Sequence, residues 1–128
     1  MANIFAKLGA VVYVIWGVLH IEAARKVYAL AETLEPGMVQ GRLEQDAWYL
    51  LFFALFGIAV GIALNWKNSS LGYWLNLIVI SAADLGYIIF VLIPGYVPVM
   101  PGAIGPIVWL VALSLSTLAL FSSAKQEA

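Results

Sequence analysis

The chain has 128 residues, of which 64% are hydrophobic and 10% charged. Soluble domains carry roughly 25% charged residues, so a chain this apolar cannot cover itself with polar surface in water. The composition therefore predicts an integral membrane protein. Its net charge of -1 gives no basic surface for nucleic acid, and the lack of cysteine excludes disulfides and thiolate metal sites. A single histidine is too few for a zinc site or bis-histidine haem ligation, so we expect neither metal nor cofactor.

The first two apolar runs predict two spanning helices, separated by the only long polar segment. The first run covers about residues 4–24, longer than the apolar part of a secretory signal, so we expect a retained helix. Residues 25–47 hold most of the charges, and Pro36-Gly37 is expected to end any extension of the first helix. The second run covers about residues 47–66.

The second half of the chain contains two further apolar runs, with shorter connections. A turn at residues 68–70 precedes a third run at about 72–93, and a loop rich in proline and glycine, residues 94–106, precedes a fourth at about 107–122. Each run approaches the roughly 20 residues that a helix needs to cross the hydrocarbon core. The sequence thus predicts an all-α membrane protein, an antiparallel four-helix bundle forming a single transmembrane domain over residues 1–128.

Asp84 is the most informative residue, because it lies well inside the third run. A carboxylate at the centre of a spanning helix costs roughly 2.5–3.5 kcal/mol on insertion scales. We therefore expect Asp84 to face the bundle interior and to find a partner there. A structural hydrogen bond between helices and a proton or ligand site are both open interpretations.

His20 lies near the end of the first run, on a face shared with Tyr13, Trp16 and Gly17 at three- and four-residue spacing. This mixture of small and aromatic residues is typical of helix contacts in lipid, so we expect His20 to face a neighbouring helix. Glu22 points about 200° away from His20 and precedes Lys26 by one turn. We interpret Glu22 as half of an interfacial ion pair with Lys26.

Antiparallel threading brings several of these residues to one half of the bilayer. His20, Asp84 and Asp46 are the predicted acid/base residues of a polar pocket there. Tyr87, Trp16, Trp48, Tyr49 and Trp109 are the predicted ligand-binding residues around it, although packing at the core or the interface remains an alternative for each aromatic residue. The uncharged loop at residues 94–106 lies at the same mouth, either as a lid or as a rigid linker.

Two further features concern packing. Gly57 and Gly61 form a GxxxG motif, which lets helices approach closely, either within the chain or in a dimer. Asn65 and Asn76 lie at the other end of the bundle, where we expect them to anchor a turn.

The chain resembles the small four-helix bacterial membrane proteins grouped as DoxX-like. The resemblance rests on Gly17-Val18-Leu19-His20 in the first run, on the Gly57/Gly61 spacing, and on the Pro/Gly loop before the last run. It implies a four-helix membrane fold and no particular chemistry.

The leading hypothesis is a pocket that binds a lipophilic small molecule or lipid, with cofactor-independent acid/base chemistry if the protein is an enzyme. Isomerisation, cyclisation and epoxide opening would each fit a carboxylate and a complementary base. A proton-coupled transporter acting as a homodimer and a structural accessory subunit are the alternatives. Lysine and arginine are divided three against three between the two faces, so orientation rests on the short charged turns. These favour cytoplasmic termini in the cell inner membrane.

Overall fold

Four long helices make up most of the computed structural model, which describes residues 2–127. The helices are α1 at Ala2–Ala31, α2 at Met38–Ala63, α3 at Ser70–Tyr87, the short α4 at Val99–Gly102, and α5 at Ile104–Glu127. A 3₁₀ turn at Asn65–Lys67 follows α2, and a wider π turn at Ile88–Leu92 follows α3. The prediction of an all-α four-helix bundle is confirmed.

The long helices follow one another around the bundle. α1 packs mainly on α2 and α5, and α3 packs on the same two neighbours, so α1 and α3 face each other across the bundle axis. Short connections make consecutive helices antiparallel. Only long side chains can therefore join α1 directly to α3.

All four long helices are long and apolar enough to cross a membrane. The candidate spans are Asn3–Ala31, Met38–Lys67, Ser70–Leu92 and Ile104–Lys125. Large apolar side chains cover their outer faces, which fits lipid as the surrounding solvent. Hydropathy correctly predicted the four runs, but α1, α2 and α5 are longer than the apolar runs themselves. α2 begins at Met38 rather than near residue 47, so much of the polar segment is helical.

Glycine permits the closest helix contacts. A Cβ at Gly17 of α1 would lie 2.8 Å from the carbonyl oxygen of Ala54 in α2. A Cβ at Gly57 would lie 2.9 Å from Ile80 Cδ1, and one at Gly61 would lie 3.4 Å from the Ala10 carbonyl oxygen. The GxxxG motif therefore packs α2 against α3 and α1 within one chain.

The turn between α2 and α3 is held by amide side chains. Asn68 adopts a left-handed φ of 57°, which asparagine tolerates better than most residues. Its Nδ2 donates to the Ala119 carbonyl oxygen at 3.2 Å and to Ser123 Oγ at 2.8 Å, which fastens the turn to α5. The buried Asn76 donates from Nδ2 to Asn65 Oδ1 at 2.8 Å, as expected of residues that anchor this end.

Candidate functional site

Asp84 lies on α3 and is fully buried at the centre of the bundle. Trp16 reaches it from α1, and its indole Nε1 donates to Asp84 Oδ2 at 2.6 Å. This contact bridges the two helices that face each other across the bundle. The sequence-based expectation that Asp84 faces inward and finds a partner is thus met.

His20 follows Trp16 by one helical turn and stacks on it. The ring centroids are 3.8 Å apart with an interplanar angle of 20°. The imidazole Nδ1 lies 2.8 Å from the Trp16 carbonyl oxygen, and Nε2 lies 3.7 Å from Asp84 Oδ1. Tryptophan and histidine therefore present one rigid aromatic unit to the carboxylate.

The hydrogen bond to the Trp16 carbonyl fixes which nitrogen of His20 carries hydrogen. A carbonyl oxygen can only accept, so Nδ1 must donate. In the neutral imidazole Nε2 then has a lone pair, and it points toward Asp84 Oδ1, which is also an acceptor when ionised. Oδ1 has no hydrogen-bond partner among residues 2–127. The gap between these two atoms is the chemically incomplete part of the site.

Gly105, in the first turn of α5, borders this gap. A Cβ at this position would lie 3.5 Å from His20 Nε2 and 3.9 Å from Asp84 Oδ1. The His20 side chain keeps 12% of its surface accessible, whereas Asp84 keeps none. The accessible side of this pair is therefore His20, next to Gly105, and not Asp84.

The Pro/Gly loop is tied down beside the site. Tyr87, one turn after Asp84, donates its hydroxyl to the carbonyl oxygen of Gly102 at 2.9 Å. This bond holds α4, and hence the start of α5 with Gly105, against α3. Trp109 is buried one turn further along α5, where its Nε1 donates to Ser81 Oγ at 3.0 Å.

Three of the predicted site residues lie apart from this group. Asp46 is exposed, Trp48 is 70% exposed, and Tyr49 accepts a hydrogen bond at its hydroxyl from Gln45 Nε2 at 2.6 Å on the outer surface. Asp46 shares a helix face with Gly57, but it precedes Gly57 by eleven residues and so lies about 16 Å nearer the start of α2. It lies in a part of α2 that the sequence-based bounds had left out of the helix.

Glu22 is separate from the site, as predicted, but its partner is different. Its carboxylate binds the Arg25 guanidinium through two hydrogen bonds, of 2.9 and 2.6 Å, on an exposed surface. The predicted pair with Lys26 is therefore wrong. The planar guanidinium three residues on engages both carboxylate oxygens through two parallel N–H groups, a geometry that an ammonium lacks.

Below Asp84, toward the chain termini, the bundle is closed by apolar packing. Ile80, one turn before Asp84, is fully buried in a core cluster with Trp16, Tyr13 and Trp109. Buried polar groups recur beyond this cluster, at Asn76 and Ser116. An apolar groove of about 370 Å³ on the outside of α1 and α2 shares no residue with the Asp84 site.

Sequence reasoning missed the contribution of Gly105 and the direct bond from Trp16. Gly105 stands next to Pro106 at the start of a helix, where glycine is easily explained by the turn alone. Trp16 was predicted as part of a pocket wall, because tryptophan in a membrane helix usually packs. Its spacing of one turn from His20 was the available signal for a joint role.

Comparison with known proteins gave no match to any family model, curated protein or solved structure. The resemblance to DoxX-like proteins stays a prediction. Within residues 2–127 no three histidine or acidic side chains come together to hold a metal ion.

Proposed function

We propose that this membrane protein binds a lipophilic small molecule through Asp84 and His20. The observation that supports it is the unpartnered Asp84 Oδ1, fully buried and 3.7 Å from His20 Nε2. A buried polar atom without a partner costs about 1–3 kcal/mol, and more if it is charged. A ligand that completes the hydrogen bonding would recover that free energy.

The same pair supplies acid/base chemistry if the ligand is a substrate. Asp84 would exchange a proton with the ligand, and His20 Nε2 would act as the complementary group on the opposite side of the gap. Isomerisation, cyclisation and epoxide opening need no further cofactor. The exposed Asp46 has no part in this step.

Two alternatives assign Asp84 other roles. Transport would need a path between the buried polar groups on both sides of Ile80, and an apolar cluster lies between them. In a purely structural role, Asp84 would only join the helices by hydrogen bonds, and such a residue stabilises the bundle most when both carboxylate oxygens are bonded. The half-bonded carboxylate favours binding over both.

Native mass spectrometry of the protein, with co-purified lipophilic molecules retained, tests the proposal. The wild-type protein should carry a discrete adduct that Asp84→Asn loses. Glu22→Gln is the matched control, because it neutralises an exposed carboxylate that already has its partner in Arg25. An adduct retained by Asp84→Asn would refute binding at this site.

Proteoliposome assays separate the alternatives. Proton flux that depends on Asp84 would support the transporter. A loss of stability in Asp84→Asn, without any change in bound molecules, would support the structural role.

We further propose that the protein resides in the cell inner membrane with cytoplasmic termini.

A further inference from the structure

The two atoms that face the gap both accept hydrogen bonds. His20 Nδ1 must donate to the Trp16 carbonyl oxygen, which leaves Nε2 as an acceptor in the neutral ring. Asp84 Oδ1 is an acceptor in the carboxylate, while Oδ2 is already bonded by Trp16. A single hydroxyl group has one hydrogen and therefore satisfies only one of the two atoms.

The separation of the two acceptors suits a bridging atom. At 3.7 Å, His20 Nε2 and Asp84 Oδ1 are too far apart for a good direct hydrogen bond. A bridging atom about 2.8 Å from each would have to bring two hydrogens. A Cβ at Gly105 would come within ordinary contact distance of both acceptors, so the missing side chain leaves the approach to the gap open.

Water and a protonated amine can each donate two hydrogens, and the charge of Asp84 distinguishes between them. Asp84 lies fully buried, and a buried charge without a counter-charge is strongly destabilising. Glu22–Arg25 is the other ion pair within residues 2–127, so with His20 neutral no lysine or arginine compensates an ionised Asp84. Water would bridge the acceptors without neutralising the carboxylate. A protonated amine does both.

We infer that the ligand is a lipophilic amine, bound as a primary or secondary ammonium ion. One N–H donates to Asp84 Oδ1, a second N–H donates to His20 Nε2, and the apolar chain leaves past Gly105 toward the lipid. This assignment rests on the proposed function and adds the class of ligand to it.

A series of probes with the same ten-carbon chain tests the inference in an uncharged detergent at neutral pH. Decylamine and N-methyldecylamine each offer two or more N–H groups, decyltrimethylammonium has the charge but no N–H, and decanol has a hydroxyl but no charge. Native mass spectrometry should show decylamine bound at least tenfold more tightly than either decyltrimethylammonium or decanol. One charge-assisted hydrogen bond accounts for about a tenfold change in affinity.

Two variants and one control locate the effect. Asp84→Asn should abolish the preference for decylamine, and Glu22→Gln should preserve it. His20→Phe keeps a stacked ring but removes the acceptor, so it should weaken decylamine about tenfold and leave decyltrimethylammonium unchanged. Unchanged binding of the latter also shows that the variant is folded.

The failures of the two proposals are distinguishable. If decanol binds as tightly as decylamine and both depend on Asp84, the amine class is overturned while binding at this site stands. If decyltrimethylammonium equals decylamine, charge alone selects the ligand and the two-donor geometry is overturned. If no probe depends on Asp84, both the ligand class and the proposed function are overturned.

Discussion

Trp16 has two contacts that bear on the site: its ring supports His20, and its N–H is the one donor to Asp84 Oδ2. Trp16→Phe keeps an aromatic ring beside His20 but leaves both carboxylate oxygens without a partner. We expect a loss of roughly 1–3 kcal/mol in the free energy of unfolding, because a buried charged acceptor is left unsatisfied. Unfolding in mixed micelles with increasing SDS would measure it.

Trp109→Phe is the matched control for this prediction. It removes the same N–H from a similarly buried tryptophan, but the acceptor there is the neutral hydroxyl of Ser81. Hydrogen bonds to charged groups are stronger than those to neutral groups, so the control should lose less stability. Equal losses in the two variants would mean that the bond to Asp84 contributes no more than an ordinary one.

At the scale of single residues, the sequence predicted which side chains face inward, because a charged side chain facing lipid is unfavourable in free energy. Asp84 had to face inward, and the small and aromatic face of α1 had to turn His20 toward a neighbour. The threading argument did not anticipate that Asp46 is exposed, because α2 begins at Met38 rather than near residue 47. The tautomer of His20 and the gap beside Gly105 depend on distances that no sequence pattern specifies.

At the scale of helices, the close contact of α1 with α2 depends on the absence of a side chain at Gly17. A Cβ there would meet Ile58 and lie 2.8 Å from the Ala54 carbonyl oxygen, which as backbone cannot move aside alone. Gly17→Ala should therefore force the helices apart and lower the free energy of unfolding by about 1–3 kcal/mol. Resistance to SDS is again the measurement.

Gly41→Ala provides the comparison, because a Cβ at Gly41 meets nothing within 4 Å. Alanine forms helices better than glycine, so this change should leave the stability of α2 unchanged or slightly higher. A Gly17→Ala protein as stable as Gly41→Ala would show that the α1–α2 contact can widen without cost.

The Tyr87 hydroxyl is the contact that links α3 to the Pro/Gly loop at Gly102. Tyr87→Phe removes this hydrogen bond with little change in shape. We expect faster hydrogen exchange in the loop and α4, and unchanged exchange in the middle of α1, because the bond holds only the local segment. Tyr49→Phe serves as the control, since the Tyr49 hydroxyl bonds Gln45 on the outer surface. Loop exchange that stays slow in Tyr87→Phe would contradict the assigned role.

Element boundaries were the least predictable feature of the fold. Hydropathy reports where a helix lies in lipid, and the polar residues of α2 before residue 47 lie outside that signal although they are helical. Between α1 and α2, only the break at Pro36-Gly37, where proline and glycine interrupt the backbone ladder, was visible in advance. The π turn after α3 has no sequence pattern that we recognise.

At the scale of the whole molecule, the solvent determines the architecture. The outer faces of the four long helices are apolar, and the interior combines small residues with a few buried polar groups. Lipid does not drive helices together as water does, so close packing and interhelical hydrogen bonds must hold the bundle. Trp16–Asp84 and Asn76–Asn65 are two such bonds, one in each half of the bundle.

Four antiparallel spans place Asn3 and Lys125 on one side of the membrane, and Pro36 and Tyr96, in the connections, on the other. The chain has no cysteine, so single cysteines introduced at these exposed positions report accessibility without background. Asn3→Cys and Lys125→Cys should react with a membrane-impermeant maleimide in inside-out vesicles, and Pro36→Cys and Tyr96→Cys in right-side-out vesicles. The reverse pattern would overturn the proposed cytoplasmic location of the termini while leaving the fold intact. Reaction of Asn3→Cys and Lys125→Cys from opposite sides would overturn the four-span topology itself, because an odd number of crossings would then separate them.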